Sequence, residues 1–353
     1  MADWTSSMEQ TYEYYEVDPA TWKDKKRLTN IKSSSINRDS SVDTLGSASI
    51  EIVDMVGECY IRIYLVTIQN GIKERYPLGT FLVQTPQTSF DGTNNNVTMD
   101  AYTPLIELKE NQVPLGFTLL KDENILANAY NVTKDHCRCP VINTVSDKVL
   151  LDNFVSNTDE TYMTFLRDLL KEAQYQFDID EMGRILFTPI QKTEALQPVY
   201  TFDDGNSSIL YPEMTLKHDL YGIPNVVEIY YTSGVISLYT IIKNEDPASP
   251  TSINNRGREI IYRMTNPKGL PGIPTQEILD EYARNVLEEL SSIEYTITFS
   301  HGYYPCRLGD CVRLNYKRAG LQDIKAKIIS QSITCKSGTK VKTTAVFTKK
   351  LWS

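Results

Sequence analysis

Alternation of apolar and polar positions dominates this chain and predicts strands over most of its length. In "CYIRIYLVTI" (59–68), Tyr60, Arg62 and Tyr64 fall on one side and Ile61, Ile63 and Leu65 on the other. That is the period-two signature of a sheet with one face covered. Asn70-Gly71 follows, a dipeptide suited to a two-residue hairpin turn because both positions tolerate positive φ. "SASIEIV" (47–53), "RYPLGTFLVQTP" (75–86) and the later half of "SFDGTNNNVTMDAYTPL" (89–105) continue the pattern. Residues 27–108 therefore read as a first β-rich block. Residues 110–145 are poorly patterned.

The period changes at 157–173. Asn157 followed by Glu160 fits a capping box, and Tyr162, Phe165, Leu166, Leu169, Leu170 and Ala173 make one apolar stripe. "YQFDIDEMGRILFTP" (175–189) returns to strand period and turns at Asp180 to Gly183. From residue 200 the chain is β-rich again. "NVVEIYYTSGVISLYTII" (225–242) predicts two strands joined at Ser233-Gly234. A Pro-, Asn- and Gly-rich excursion (244–274) carries a strand at "REIIYRM" (258–264). Thr275 opens a second helix, with Ile278, Leu279, Tyr282, Val286, Leu287 and Leu290 on one side. "EYTITFS" (294–300), "GDCVRLNYKR" (309–318), "IKAKIISQSITC" (324–335) and "KVKTTAVFTKK" (340–350) form a closing meander, with Ser337-Gly338 as a turn. No fixed-period repeat is present. The expected class is α+β, predominantly β: two β-rich blocks (27–108 and 200–353) separated by a helical unit. Each block leaves sheet edges that closure, or pairing with a neighbouring chain, would remove.

Composition narrows the possible functions. A length of 353 residues suggests two or three domains. With 45 Asp plus Glu against 36 Lys plus Arg the net charge is −9, which argues against sequence-reading contact with nucleic acid. The 22 tyrosines, against 10 phenylalanines, suit half-buried strands and broad polar interfaces. No segment approaches 18 uncharged apolar residues, so no membrane span is expected. "MADWTSSMEQ" lacks the regions of a secretory signal, and synthesis in a reducing cytoplasm predicts that the six cysteines are mostly thiols.

Few positions invite chemistry. "DHCRCP" (135–140) crowds Asp135, His136, Cys137 and Cys139 together. One residue between two cysteines is tight for a tetrahedral ion, and Cys306 and Cys311, spaced for zinc, would have to join them through the fold. A connecting loop with small apolar thiols is the favoured reading. A Cys137–His136 nucleophile would need an electropositive, partly exposed setting. Asp178, Asp180 and Glu181 could pair as acid and base, but Met182 spoils a calcium loop, and the spacing fits a turn with Gly183 at positive φ. Asp203-Asp204-Gly205 likewise reads as a turn. No G-x-S-x-G, H-E-x-x-H or P-loop occurs. No catalytic, cofactor-binding or metal residue is assigned.

The order of certain short stretches resembles the baseplate hub proteins of long-tailed phages and related contractile injection particles. "SSSINRDSSVDTLGSASIEIVD" (33–54), with its S-x-x-x-R-D start, resembles their opening. "YPLGTFLVQTP" (76–86) is similar to their Pro-Leu-Gly-Thr-Phe strand, and "DETYMTFLRDLLKEAQYQFDIDEMGRILFTP" (159–189) to the helix and hairpin that follow. "SSILYPEMTLKHDLYGIPNVVEIYY" (207–231) matches the entry to their second barrel, and "LGDCVRL" (308–314) a strand start near their end. The resemblance covers most of the chain from about residue 27, though 110–150 and 243–274 match nothing. It implies two tail-tube-like β-barrel domains with inserted small α/β units. The division is 1–115 (first barrel with an N-terminal arm), 116–199 (connecting segment plus helix-hairpin) and 200–353 (second barrel, with an inserted excursion and helix at about 243–293).

The same resemblance implies a non-enzymatic virion protein, made in the host cytoplasm. It would form a homotrimeric ring that adapts a sixfold tail tube to a threefold spike or tip and continues the DNA-ejection channel. Tail tube, spike or tip, other baseplate proteins and the tape measure protein are the implied partners. A tail-tip cell-wall hydrolase and a glycan-binding receptor protein are the alternatives.

Overall fold

The computed structural model describes residues 2–53, 57–90, 92, 95–234, 236–267, 270 and 274–352. The chain divides into two compact units, Met1–Met214 with Thr298–Ala345 and Thr215–Ile297 with Val346–Ser353. The first unit opens with β1 (Glu9–Val17), β2 (Asp24–Leu28), β3 (Ile31–Asp39), β4 (Gly46–Ile52), β5 (Tyr60–Gln69), β6 (Ile72–Phe90) and β7 (Asn95–Tyr102). Their order in the sheet is β3-β4-β7-β6-β5-β1-β2. Asn70 and Gly71 both take positive φ (51° and 78°), so the β5–β6 hairpin turns where its dipeptide predicts. Ile36, Ile50, Ile52, Ile61, Ile63, Leu65 and Met99 form the apolar core on one face. The other face of β5 departs from expectation. Tyr60, Arg62 and Tyr64 are buried as well, Tyr60 and Arg62 because a second layer covers them and Tyr64 because it lies beneath Arg75 and against Tyr15.

That layer follows in the chain. It comprises α1 (Ile106–Glu110), β8 (Thr118–Leu119), α2 (Ile125–His136), β9 (Phe154–Val155), α3 (Tyr162–Glu172), and the hairpin of β10 (Tyr175–Ile179) and β11 (Ile185–Pro189). The α3 stripe is buried as its spacing predicts, with Phe165, Leu166, Leu169 and Leu170 each 0% exposed. The helix starts later than the capping-box reading suggests. Glu160 does reach back to accept the Asn157 N–H at 2.7 Å, but Asp159 sits at φ +61° and interrupts the helical path. Thr161 is the actual N-cap, accepting from Thr164 N at 3.2 Å. The poorly patterned 110–145 stretch conceals α2, capped by Asn124 and burying Ile125, Leu126, Ala129 and Thr133. Leu126, Ala129, Leu166, Leu169, Phe177 and Phe187 share one core with Tyr60 and Trp22.

The chain then runs through β12 (Pro198–Asp203) and β13 (Leu210–His218). The second unit contains β14 (Val226–Ser233), β15 (Ile236–Lys243), α4 (Ile253–Arg256), β16 (Ile261–Thr265) and α5 (Gln276–Leu290). Its three-stranded sheet has the order β15-β14-β16, antiparallel then parallel. Thr275 caps α5 by accepting from Ile278 N. Val227 and Ile229 pack on Leu279, Ala283 and Leu287. Ile278, expected in the buried stripe, is instead 37% exposed, and Ala283 fills the inward position.

After β17 (Ser292–Gly302) come β18 (Cys311–Asn315), β19 (Ile324–Thr334) and β20 (Lys340–Lys350). Here the first unit joins its own ends. β19 pairs antiparallel with β3, Ile333 opposite Ile36 and Gln331 opposite Arg38. β18 pairs antiparallel with β19 and parallel with β12. The class is α+β and predominantly β, as the alternation predicts. Strands of both β-rich blocks, however, join one sheet, and among the described residues its strand order is an open path rather than two closed rings.

Leu169 is fully buried between the α2 side of the layer and the β10–β11 hairpin. A Leu169→Ala variant is expected to lose about 3 kcal/mol of stability, the usual cost of a deleted core leucine and its cavity. Urea unfolding should show a lower midpoint at unchanged slope.

Candidate functional site

The β10–β11 turn is held by backbone carbonyls as much as by side chains. The Met182 carbonyl accepts from Trp22 Nε1 at 2.7 Å and from Arg62 Nη2 at 3.1 Å. Arg62 also donates from Nε to Thr80 Oγ1 and from Nη1 to Asp24 Oδ1. A guanidinium this buried is tolerable because its donors are met. Gly183 sits at φ +75°, and a Cβ there would lie 2.7 Å from the Thr80 Cβ. Both the turn and the close approach demand glycine.

Beside this turn lies a cavity of about 40 Å³, lined by Arg38, Leu78, Thr80, Asp178, Glu181 and Arg307 among others. Arg38 on β3 is its hub. Its Nη1 donates to the Cys306 carbonyl (3.2 Å) and to Gln331 Oε1 (3.1 Å). Its Nη2 donates to the Leu78 carbonyl (2.8 Å) and pairs with Glu181 at 3.4 Å. Arg307 pairs with Asp178, and Asp180 with Arg184. The Asp310 carboxylate accepts the Arg307 N–H, while burial pushes its carboxyl above the ordinary range. The three candidate acids of the sequence thus line one cavity, and each is tied to an arginine.

A polar relay continues from this node. Gln331 Nε2 donates to Thr343 Oγ1 at 3.4 Å, and Thr343 Oγ1 lies 2.8 Å from His301 Nε2. The Gly302 carbonyl can only accept, so His301 Nδ1 carries the proton and Nε2 accepts from the Thr343 hydroxyl. Burial lowers the His301 pKa from 6.5 to about 4.

The "DHCRCP" stretch is a splice. Asp135 and His136 end α2, and His136 stacks on Tyr162 at 3.7 Å between ring centroids. Arg138 pairs with Glu107 and Glu58 and lies over the Tyr60 ring. Pro140 and Ile142 then bond the backbone of Ile185. A hydrogen bond with the Cys139 thiol, then burial, pushes the Cys137 thiol well up, the opposite of an activated nucleophile. All six cysteines are free thiols. Cys306 accepts from Gln331, and burial raises its thiol to about 11. The Cys311 thiol is buried and lies against the Val312 carbonyl. Among the described residues no group of three or more His, Cys, Asp or Glu could hold a metal. Asp203 accepts from Gly205 N as the head of a turn, and Asp204 faces Arg318.

The sequence reading missed Arg38 and Arg62 as nodes. Its one usable signal was motif order. Arg38 lies in the S-x-x-x-R-D stretch, Leu78 to Phe81 in the Pro-Leu-Gly-Thr-Phe stretch, Asp178 to Glu181 in the helix-hairpin, and Leu308 in the Leu-Gly-Asp stretch. All of them line the same cavity.

No family model and no curated protein matches the chain. Solved structures do. A tail protein from Neisseria meningitidis MC58 superposes with a TM-score of 0.60 at 13% identity, covering 97% of this chain and 98% of the other. The 43 kDa tail protein of prophage MuSo2 from Shewanella oneidensis gives 0.59 at 13% identity, covering 96% and 98%. The chain has the fold of phage tail proteins. The likeness extends end to end, so both units of this chain have counterparts in the tail-protein fold.

Two outcomes follow from the site. Arg38→Met should cost about 3 kcal/mol or more in urea unfolding, because it leaves Glu181 and three acceptors unmatched; Arg38→Lys should recover little, lacking the planar fork. Stability should also fall as pH drops from 6.5 to about 4, because the unfolded chain protonates His301 while the folded chain does not. The loss is about 3 kcal/mol across that window and flat below it. A His301→Asn variant should show a flatter profile.

Proposed function

We propose that this chain is a structural hub protein of a phage tail baseplate, working without catalysis. The observation that carries the reading is the end-to-end match to tail proteins, 97% of this chain against 98% of the other at a TM-score of 0.60. In this reading three copies form a ring that adapts a sixfold tail tube to a threefold spike or tip and continues the DNA-ejection channel. The tube-like parts would be 1–115 and 200–353, with 116–199 as the connecting helix-hairpin piece. Tail tube, spike or tip, other baseplate proteins and the tape measure protein are the partners. The protein would reside in the virion after synthesis in the host cytoplasm.

Two features support a structural role. The main sheet is an open path, which leaves edges for a neighbouring chain to pair. The candidate acids Asp178, Asp180 and Glu181 are engaged by Arg307, Arg184 and Arg38. The cavity they line has room for roughly three waters. That weighs against the hydrolase and glycan-receptor readings at this place.

The ring is tested by the native mass in solution. Light scattering at micromolar protein should give three times the chain mass. A stable monomer across the accessible concentration range would overturn the ring.

A further inference from the structure

The chain is acidic overall, yet one exposed half-face of its sheet carries an excess of cations. Glu13 on β1 is nearly buried, its side chain 7% exposed, and three bases converge on it. Arg27 of β2, Lys73 of β6 and Arg75 of β6 lie 3.6, 3.0 and 3.4 Å away. Their side chains are 54%, 56% and 38% exposed. Arg75 is further fixed above the Tyr64 and Tyr15 rings, 4.0 and 5.0 Å from their centroids, and pairs with Asp24. One carboxylate, with a second shared by Arg75 and buried Arg62, cannot use the donors of two guanidiniums and an ammonium. The surplus N–H groups face solvent on a platform that is held in place. Burial pushes the Glu13 carboxyl up, but Lys73, Arg27 and Arg75 outweigh it and hold the group ionised.

The complement lies on α5. Glu277 and Glu281 are exposed one turn apart and have no ion-pair partner among the described residues. Glu277 and Glu281 stand four residues apart on α5, so their carboxylates repel each other and a cationic partner would relieve that repulsion.

We propose that the Arg27–Lys73–Arg75 platform docks a second copy of this chain through the carboxylates of Glu277 and Glu281. The contact is heterologous, one face against a different face, as closed rings of three require. It rests on the trimeric reading above and names the charges that would hold it.

A charge swap tests it. Native mass is followed by sedimentation against concentration for the wild type, Lys73→Glu/Arg75→Glu, Glu277→Lys/Glu281→Lys and all four changes together. Each double variant should shift trimer dissociation to concentrations on the order of tenfold higher or more, and the fourfold variant should recover most of that shift. Raising salt should weaken the wild-type trimer in the same direction. If Lys73→Glu/Arg75→Glu fails to fold, the exposed α5 variant decides through its own shift. A trimer unmoved by the α5 variant, or a fourfold variant no better than the doubles, overturns this contact and leaves the ring intact. A wild-type protein that is monomeric throughout overturns both.

Discussion

A single guanidinium holds the first unit together. Arg38 directs its N–H groups to β6, to β19 and to the loop at Cys306, and pairs with the turn at Glu181. These four partners are separated by up to about 250 residues of sequence, yet all lie within reach of one planar group. Two of the acceptors are backbone carbonyls, which cannot move without moving their strands. The arginine therefore fixes the spacing between the sheet, the helix-hairpin layer and the returning strands at once. Arg62 does the same one layer over, where the Met182 carbonyl sits between it and Trp22.

Such nodes explain why so polar a chain can bury both faces of β5. An alternating strand in isolation suggests one dry and one wet face. Here the Tyr60 and Arg62 end of the wet face is roofed by α2, α3 and the hairpin, and Arg62 is satisfied by Thr80, Asp24 and the Met182 carbonyl. The acids that might have served chemistry are used in the same way. Asp178 and Glu181 hold arginines, and Asp180 closes its own hairpin. Each of the three is thus paired with an arginine rather than left poised.

Much of the fold was legible in the sequence, and the illegible parts have definite causes. β5, β6, α3 and α5 carry strong periods, so local spacing revealed them. α2 did not, because Asn128, Asn131 and Thr133 dilute its stripe and favour other conformations. Asp159 displaced the start of α3 through a backbone angle that side-chain type only weakly signals. Pairing of β3 with β19, and of β12 with β18, is carried by no local pattern. The site was least visible of all. An arginine in a strand reads as solvated until its carbonyl partners, far away in sequence, are known. Only the succession of short motifs hinted that distant stretches belong together. "DHCRCP" drew attention by composition alone, and the backbone bonds that Pro140 and the following Ile142 make to Ile185 matter more than its sulfur.

The pairing of β3 with β19 has a consequence for biosynthesis. Nearly three hundred residues emerge from the ribosome between one strand and its mate. Until then β3 presents a bare edge and Arg38 lacks Gln331 and the Cys306 carbonyl. Closing so long a loop is slow, and an open edge in the meantime invites wrong partners. Any product cut short before Ile324 would lack β19 altogether and keep that edge of β3 open to the strands of other chains.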